Sequence, residues 1–140
     1  MVLREAQQPD VLQQTVTVLL AEDEILIRID VAEELRRAGW KVIEVASADD
    51  AIDILKSSVI VDLVVTDVNM PGQSNGLDLA GFVARERPKI KVAIMSAHFV
   101  PAAEPGGAAP CDLFISKPFL HSQLVDQLRP LLQRGTSSAE

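Results

Sequence analysis

Leu63-Val-Val-Thr-Asp67 running into Val68-Asn-Met-Pro-Gly72 decides the fold. A short apolar, β-branched run ends on a carboxylate and passes into a Pro-Gly turn. A run with no polar alternation reads as a strand buried on both faces, the habit of parallel sheets. Pro71 and Gly72 then stop any regular element.

The same grammar repeats on either side. Val16 to Ala21 is a short apolar run and reads as a first strand. Ile25 to Ala38 follows with helical spacing at Ile27, Val31, Leu35 and Ala38, and Gly39 ends it as a C-terminal cap. Val42 to Ala46 is a second strand. Ser47 caps a helix with Ala48, Ala51, Ile52 and Leu55 on one face. Leu63 to Thr66 is the third strand. After the turn and Gly76, Leu79, Phe82 and Val83 mark a third helix that ends before Pro88. Val92 to Met95 and Leu113 to Ser116 are strands four and five. Leu124, Val125, Leu128, Leu131 and Leu132 mark a last helix, which Pro130 should kink or shorten. Strand and helix alternate throughout, which predicts an α/β fold with a parallel sheet covered on both faces. Between strands four and five, Pro101, Pro105, Gly106, Gly107 and Pro110 leave no room for a regular helix, so a fourth helix is expected to be degenerate or missing.

Length and composition agree with one domain. The chain has 140 residues, 48% hydrophobic and 24% charged, with a net charge of -7. Residues 1–14 read as a flexible arm, 15–134 as the domain and 135–140 as a frayed tail. The acidic balance argues against nucleic acid or an anionic membrane surface as a direct partner. No apolar run reaches the ~18 residues of a bilayer span, and no basic-then-apolar leader is present. Cys111 is the single cysteine, so no internal disulfide can form. A cytoplasmic location is expected.

Polar residues gather where strands end. Glu22, Asp23 and Glu24 follow the first strand, Asp67 the third, Ser96 the fourth and Lys117 the fifth. These are the carboxyl ends, where the crevice of an open parallel sheet lies. In the order 2-1-3-4-5, strands one and three are neighbours and Asp23 faces Asp67. Carboxylates so grouped repel one another unless a cation joins them. Mg²⁺ suits such oxygen ligands, and Lys117 brings a second positive charge. A carboxylate nucleophile with metal and lysine around it suits phosphoryl transfer.

Four segments in order carry a family resemblance: Val18-Leu-Leu-Ala-Glu-Asp-Glu24, Asp62 to Gly72, Ala93-Ile-Met-Ser96 and Ile115-Ser-Lys-Pro-Phe119. From Val16 to Leu132 the chain resembles the receiver domain of bacterial two-component response regulators, a flavodoxin-like doubly wound fold with a five-stranded parallel sheet. The resemblance implies Asp67 as phosphoacceptor and Asp23 as a direct Mg²⁺ ligand, with Glu22 assisting through water and Asn69 offering its backbone carbonyl. It implies that Ser96 hydrogen-bonds the phosphoryl group and moves toward it, and that Lys117 contacts a phosphoryl oxygen. The Lys117–Pro118 bond is expected to be cis. Phe114 stands at the family's aromatic switch position, although it can equally be core. His98 stands where the family tunes phosphoryl lifetime, but an exposed loop histidine is the preferred reading.

Departures from the family pattern carry consequences. The loop after Pro71 is one residue longer than the common form, through Gln73, Ser74 and Asn75. Leu120 stands where a capping Asp is common, so the last helix starts poorly or is capped by Ser122. A degenerate fourth helix would alter the family's output surface, so a monomer or an atypical dimer is expected. Too few residues follow Leu132 for a DNA-binding helix-turn-helix, so output is expected to lie with a partner protein or onward relay.

Plainer readings fit the remaining residues. Glu24 is expected in the first helical turn, favoured by the dipole. His121 reads as a helix-start residue, and Trp40 as core. Met70 and Met95 read as packing, and Cys111 as unreactive. The expected function is acceptance of a phosphoryl group from a histidine kinase or phosphotransfer protein, without turnover enzymology. The alternative is a receiver-fold scaffold that is never phosphorylated. An aspartate-nucleophile phosphatase is disfavoured, because Asn69 stands where a second carboxylate is needed.

Overall fold

The computed structural model describes residues 15–97 and 111–133. Five parallel strands form one sheet: β1 (Thr17–Ala21), β2 (Lys41–Val45), β3 (Leu63–Asp67), β4 (Lys91–Ser96) and β5 (Leu113–Ser116), in the order β2-β1-β3-β4-β5. Four helices are described: α1 (Ile25–Arg37), α2 (Ala48–Lys56), α3 (Gly76–Glu86) and α4 (His121–Leu128). The expected sheet order is therefore present. The arm, the segment expected to lack a helix, His98, Arg134 and the tail lie outside the described residues.

Period-two alternation of each strand divides the core in two. Val18, Leu20, Leu63, Val65, Ala93 and Met95 face one side and pack with Val31, Leu35, Leu124 and Leu128 of α1 and α4. Leu19, Ala21, Val64, Val92 and Ile94 face the other side and pack with Ala51, Leu55, Leu79 and Val83 of α2 and α3. The central strands are apolar on both faces because each face meets helices. Each fully buried Leu or Val there contributes roughly 1.5–3 kcal/mol of transfer free energy. The edge strands β2 and β5 are only partly buried.

Local signals account for most element ends. α1 stops at Ala38, and Gly39 takes the left-handed turn at φ 93°, which sends Trp40 into the core beside β2. The Asp50 N–H donates to Ser47 Oγ at 3.0 Å, so Ser47 caps α2 as its sequence predicts. At Pro130 the last helix gives way to a 3-10 turn over Arg129–Leu132.

At two helix starts one expectation is corrected and, at the other, the uncapped alternative holds. Glu24 is the N-cap of α1 with extended backbone, one position before the first turn, and its side chain makes no cap. Leu120 is the N-cap of α4, again without a side-chain cap, and Ser122 lies inside the helix. Ser122 is one residue too late, because the helical backbone already starts at His121. Two strands also run further than their apolar letters. Asp67 pairs with Met95 and Ser96 with Ser116, so both are last residues of their strands. The parallel ladder continues through a polar residue when its neighbours supply the hydrogen bonds.

Candidate functional site

Strand ends bring four of the predicted residues to one pocket. Glu22 and Asp23 leave β1, Asp67 closes β3, and Lys117 follows β5. Because β1 and β3 are adjacent, carboxylate oxygens of Glu22, Asp23 and Asp67 all lie within 4.8 Å of one another. Lys117 reaches across from β5. Its Nζ donates to Asp67 Oδ1 at 3.0 Å and to Glu22 Oε1 at 3.2 Å. The peptide bond from Lys117 to Pro118 is cis, as expected.

The pocket concentrates the molecule's buried polarity. Glu22, Thr66 and Ser96 are the buried polar residues among those described, and all three stand at these strand ends. Glu22 is 1% exposed. Its Oε2 accepts the Glu24 N–H at 3.1 Å while Oε1 takes Lys117. Burial still holds the Glu22 carboxyl above its ordinary range, against the pull of the Glu24 N–H, and the Asp67 charge adds to the rise. Burial alone would lower Lys117. The hydrogen bond to Asp67 and the charges of Glu22 and Asp67 outweigh it and raise the ammonium's pKa. Lys117 pairs with two of the three close carboxylates, Glu22 and Asp67, so the donor set is short of positive charge. Oxygen ligands with that deficit fit a hard divalent cation such as Mg²⁺.

The other predicted residues take distinct places. Ser96 is buried at the end of β4, and its carbonyl accepts the Lys117 N–H at 2.8 Å. Asn69 is exposed in the turn two residues after Asp67. Phe114 is partly buried, paired with Ile94 and packed on the α2/α3 side of the core. Met95 is fully buried and Met70 partly so, both in packing roles. His121 is exposed as the first residue of α4, its ring 5.5 Å from that of Phe119. Burial pushes the Cys111 thiol up, in keeping with an unreactive cysteine.

Three supports went unread in the sequence. Gly76 opens α3 directly against the end of β3: a Cβ there would clash with the Asp67 carbonyl oxygen. That carbonyl also accepts the Thr66 hydroxyl at 2.8 Å. Arg28 donates through Nη1 to the Glu22 carbonyl at 2.9 Å and through Nε to Glu44 Oε1 at 3.3 Å, which ties the acidic loop to β2. Asn75 and Asp78 form a reciprocal capping box at the start of α3. The Asn-x-x-Asp spacing signals that box in the sequence. The residue that lengthens the loop thus leads into a helix cap. Nothing local marks Gly76 or Arg28, since their partners are distant in sequence.

The response regulator receiver domain family matches residues 18–129. The chain belongs to this family. Among curated proteins it is similar to the transcriptional regulatory protein PdtaR of Mycobacterium tuberculosis, 33% identical over 121 residues, covering 84% of this chain and 57% of PdtaR. The chain thus spans little more than half of that relative. Among solved structures, a receiver protein from Sinorhizobium medicae is 31% identical with a TM-score of 0.75, over 86% of this chain and 96% of that one. TrrA from Thermotoga maritima, solved in complex with Mg²⁺-BeF, is 25% identical with a TM-score of 0.72, over 84% of this chain and all of the other. Among the described residues, no helix of the receiver domain is long and apolar enough to cross a membrane.

Proposed function

We propose that this receiver domain takes a phosphoryl group from a phosphohistidine of a histidine kinase or phosphotransfer protein onto Asp67. The observation that carries the reading is Lys117 Nζ held between Asp67 Oδ1 and Glu22 Oε1, beside three mutually close carboxylates. An Asp67 oxygen attacks phosphorus in line as the P–N bond breaks. The bonding pair leaves with the imidazole nitrogen, and an acyl phosphate remains on Asp67. Lys117 then neutralises charge on a phosphoryl oxygen, and Ser96 offers its hydroxyl from the end of β4. Glu22 holds the lysine in place. Asp23, Asp67, the Asn69 carbonyl and Glu22 would hold Mg²⁺, which supplies further neutralisation of the phosphoryl charge. That TrrA, which is similar to this chain, was solved in complex with Mg²⁺-BeF supports Mg²⁺ as the cation of the site.

The first turn of α1 exposes Ile25 and Leu26 immediately beyond Asp23 and Glu24. This apolar shoulder gives a donor domain a place to rest while its phosphohistidine reaches Asp67. Ser96 and Phe114 form the switch that reports the phosphoryl group, and the signal passes to a partner protein or onward along a relay. The domain turns over no external substrate beyond its own phosphorylation and dephosphorylation, and it works in the cytoplasm.

Incubation with a small phosphodonor, with and without Mg²⁺, followed by intact-mass measurement, tests the reading. One phosphoryl group is expected, dependent on Mg²⁺ and absent from Asp67→Ala. Failure to gain mass, together with failure to bind beryllofluoride, would leave the unphosphorylated scaffold in its place.

A further inference from the structure

The end of the sheet where strands begin, remote from Asp67, carries a different chemistry. Two segments meet there: Lys56 to Val61 between α2 and β3, and Arg85 to Lys91 between α3 and β4. Arg87 Nη1 donates to the Leu55 carbonyl at 2.5 Å, and the Lys91 N–H donates to the Asp62 carbonyl at 3.3 Å. Between them lies a groove of about 350 Å³ lined by Val61, Glu86, Arg87, Pro88, Lys89 and Ile90. Beside it Ile60 is 75% exposed and Val59 37% exposed.

The charge around this groove opposes that of the whole chain. Lys56, Arg85, Arg87, Lys89 and Lys91 stand on the two segments against Glu86, and Asp62, the next residue after the first segment, spends its carboxylate on the Thr17 N–H, in a chain of net charge -7. Among the described residues, none of these five cations forms a salt bridge. Lys56 and Arg85 sit in the last turns of their helices, where the macrodipole favours them. That account does not extend to Lys89 or Lys91, which lie beyond α3, nor to an isoleucine left in water.

We propose that this groove docks an acidic peptide segment of a partner protein, with an aliphatic side chain of the peptide set against Ile60. Peptide carboxylates then face Lys89 and Arg87 in the lining, with Lys56 on the adjoining segment, so charge complementarity selects the partner and the aliphatic contact holds it. A nucleic-acid strand suits the site less well. Ile60 offers nothing to a phosphate, and no aromatic ring is among the groove's lining residues to stack a base. The proposal goes beyond the phosphoacceptor reading and does not rest on it.

Fluorescence polarisation on the full chain tests it, with a labelled Asp-Glu-Leu-Leu-Glu-Asp peptide as probe. Saturable binding is expected, weaker in high salt and weakened at least tenfold by Lys89→Glu and by Ile60→Ser. Both residues are exposed, so both variants should fold. Lys89→Arg should bind as the parent does. Asp67→Ala should also leave binding unchanged, which separates this surface from the acceptor chemistry. The proposal is overturned by absence of saturable binding, by equal binding to the variants, or by tighter binding of a labelled single-stranded oligonucleotide.

Discussion

Lys117 Nζ lies 3.0 Å from Asp67 Oδ1, a contact between residues fifty positions apart in the chain. The same ammonium is 3.2 Å from Glu22 Oε1, so one cation serves a partly buried carboxylate and a fully buried one. Its pKa is raised, so it carries its charge at any working pH.

Lys117→Met should therefore impair phosphoryl acceptance more than folding. Removal of one charge-stabilising donor from a reacting centre costs about 10²–10³ in rate. Time-resolved phosphorylation with a small donor reads that loss, and Lys117→Arg should recover part of it. An unchanged rate in Lys117→Met would show that the lysine is only structural.

Glu22 predicts a pH dependence. Its pKa in the folded chain is raised above 4.5, so the fold favours the protonated form. The associated stability is fully present below the ordinary carboxylate range and is lost as pH rises through the raised value. Without divalent cations, the parent should lose stability relative to Glu22→Gln as pH rises from about 4.5 toward neutrality, a window set by the ordinary value. Urea denaturation of both proteins in chelator, across that range, checks the sign. A difference that is flat in pH would contradict it.

Mg²⁺ should stabilise the fold at neutral pH, because it relieves the repulsion among Glu22, Asp23 and Asp67. A ligand at one hundred times its Kd adds about 2.7 kcal/mol, readable as a rise in Tm. Asp23→Ala should abolish most of that rise while raising the stability of the metal-free protein. A Tm that responds to Mg²⁺ equally in both proteins would place the ion elsewhere.

Gly76→Ala should damage the end of β3. The added methyl meets the Asp67 carbonyl oxygen, and backbone cannot move aside as a flexible side chain would. Overpacking of this kind costs about 1–3 kcal/mol. Both stability and phosphorylation should fall. Asn75→Ala, which removes only the helix cap, should cost about 1 kcal/mol and spare the chemistry. Denaturation and phosphorylation measured on the two variants side by side separate the effects.

The sequence by itself determined the layout of the fold. Continuous apolar runs named the buried strands, 3.6-residue spacing named the helices, and Gly39, Ser47 and Pro130 marked where elements turn. These signals are local, so a linear reading reaches them. It also placed Glu22, Asp23, Asp67, Ser96 and Lys117 at strand ends, and a parallel sheet brings such ends together. The ends of α1 and α4 were harder. A cap is decided by the one residue whose backbone stays extended, and Glu24 and Leu120 hold those positions without side-chain help.

Only the tertiary structure decided how the site is held. Glu22 is buried and clamps Lys117, a role that the run Glu22-Asp23-Glu24 does not reveal by itself. Arg28 hooks the Glu22 carbonyl from the next helix, and Gly76 leaves room for the Asp67 carbonyl. The exposed Ile60 beside a basic groove also escaped notice, since both belong to segments some thirty residues apart. In each case the deciding partner is remote in sequence, and no local pattern encodes a contact that forms only when the strands align.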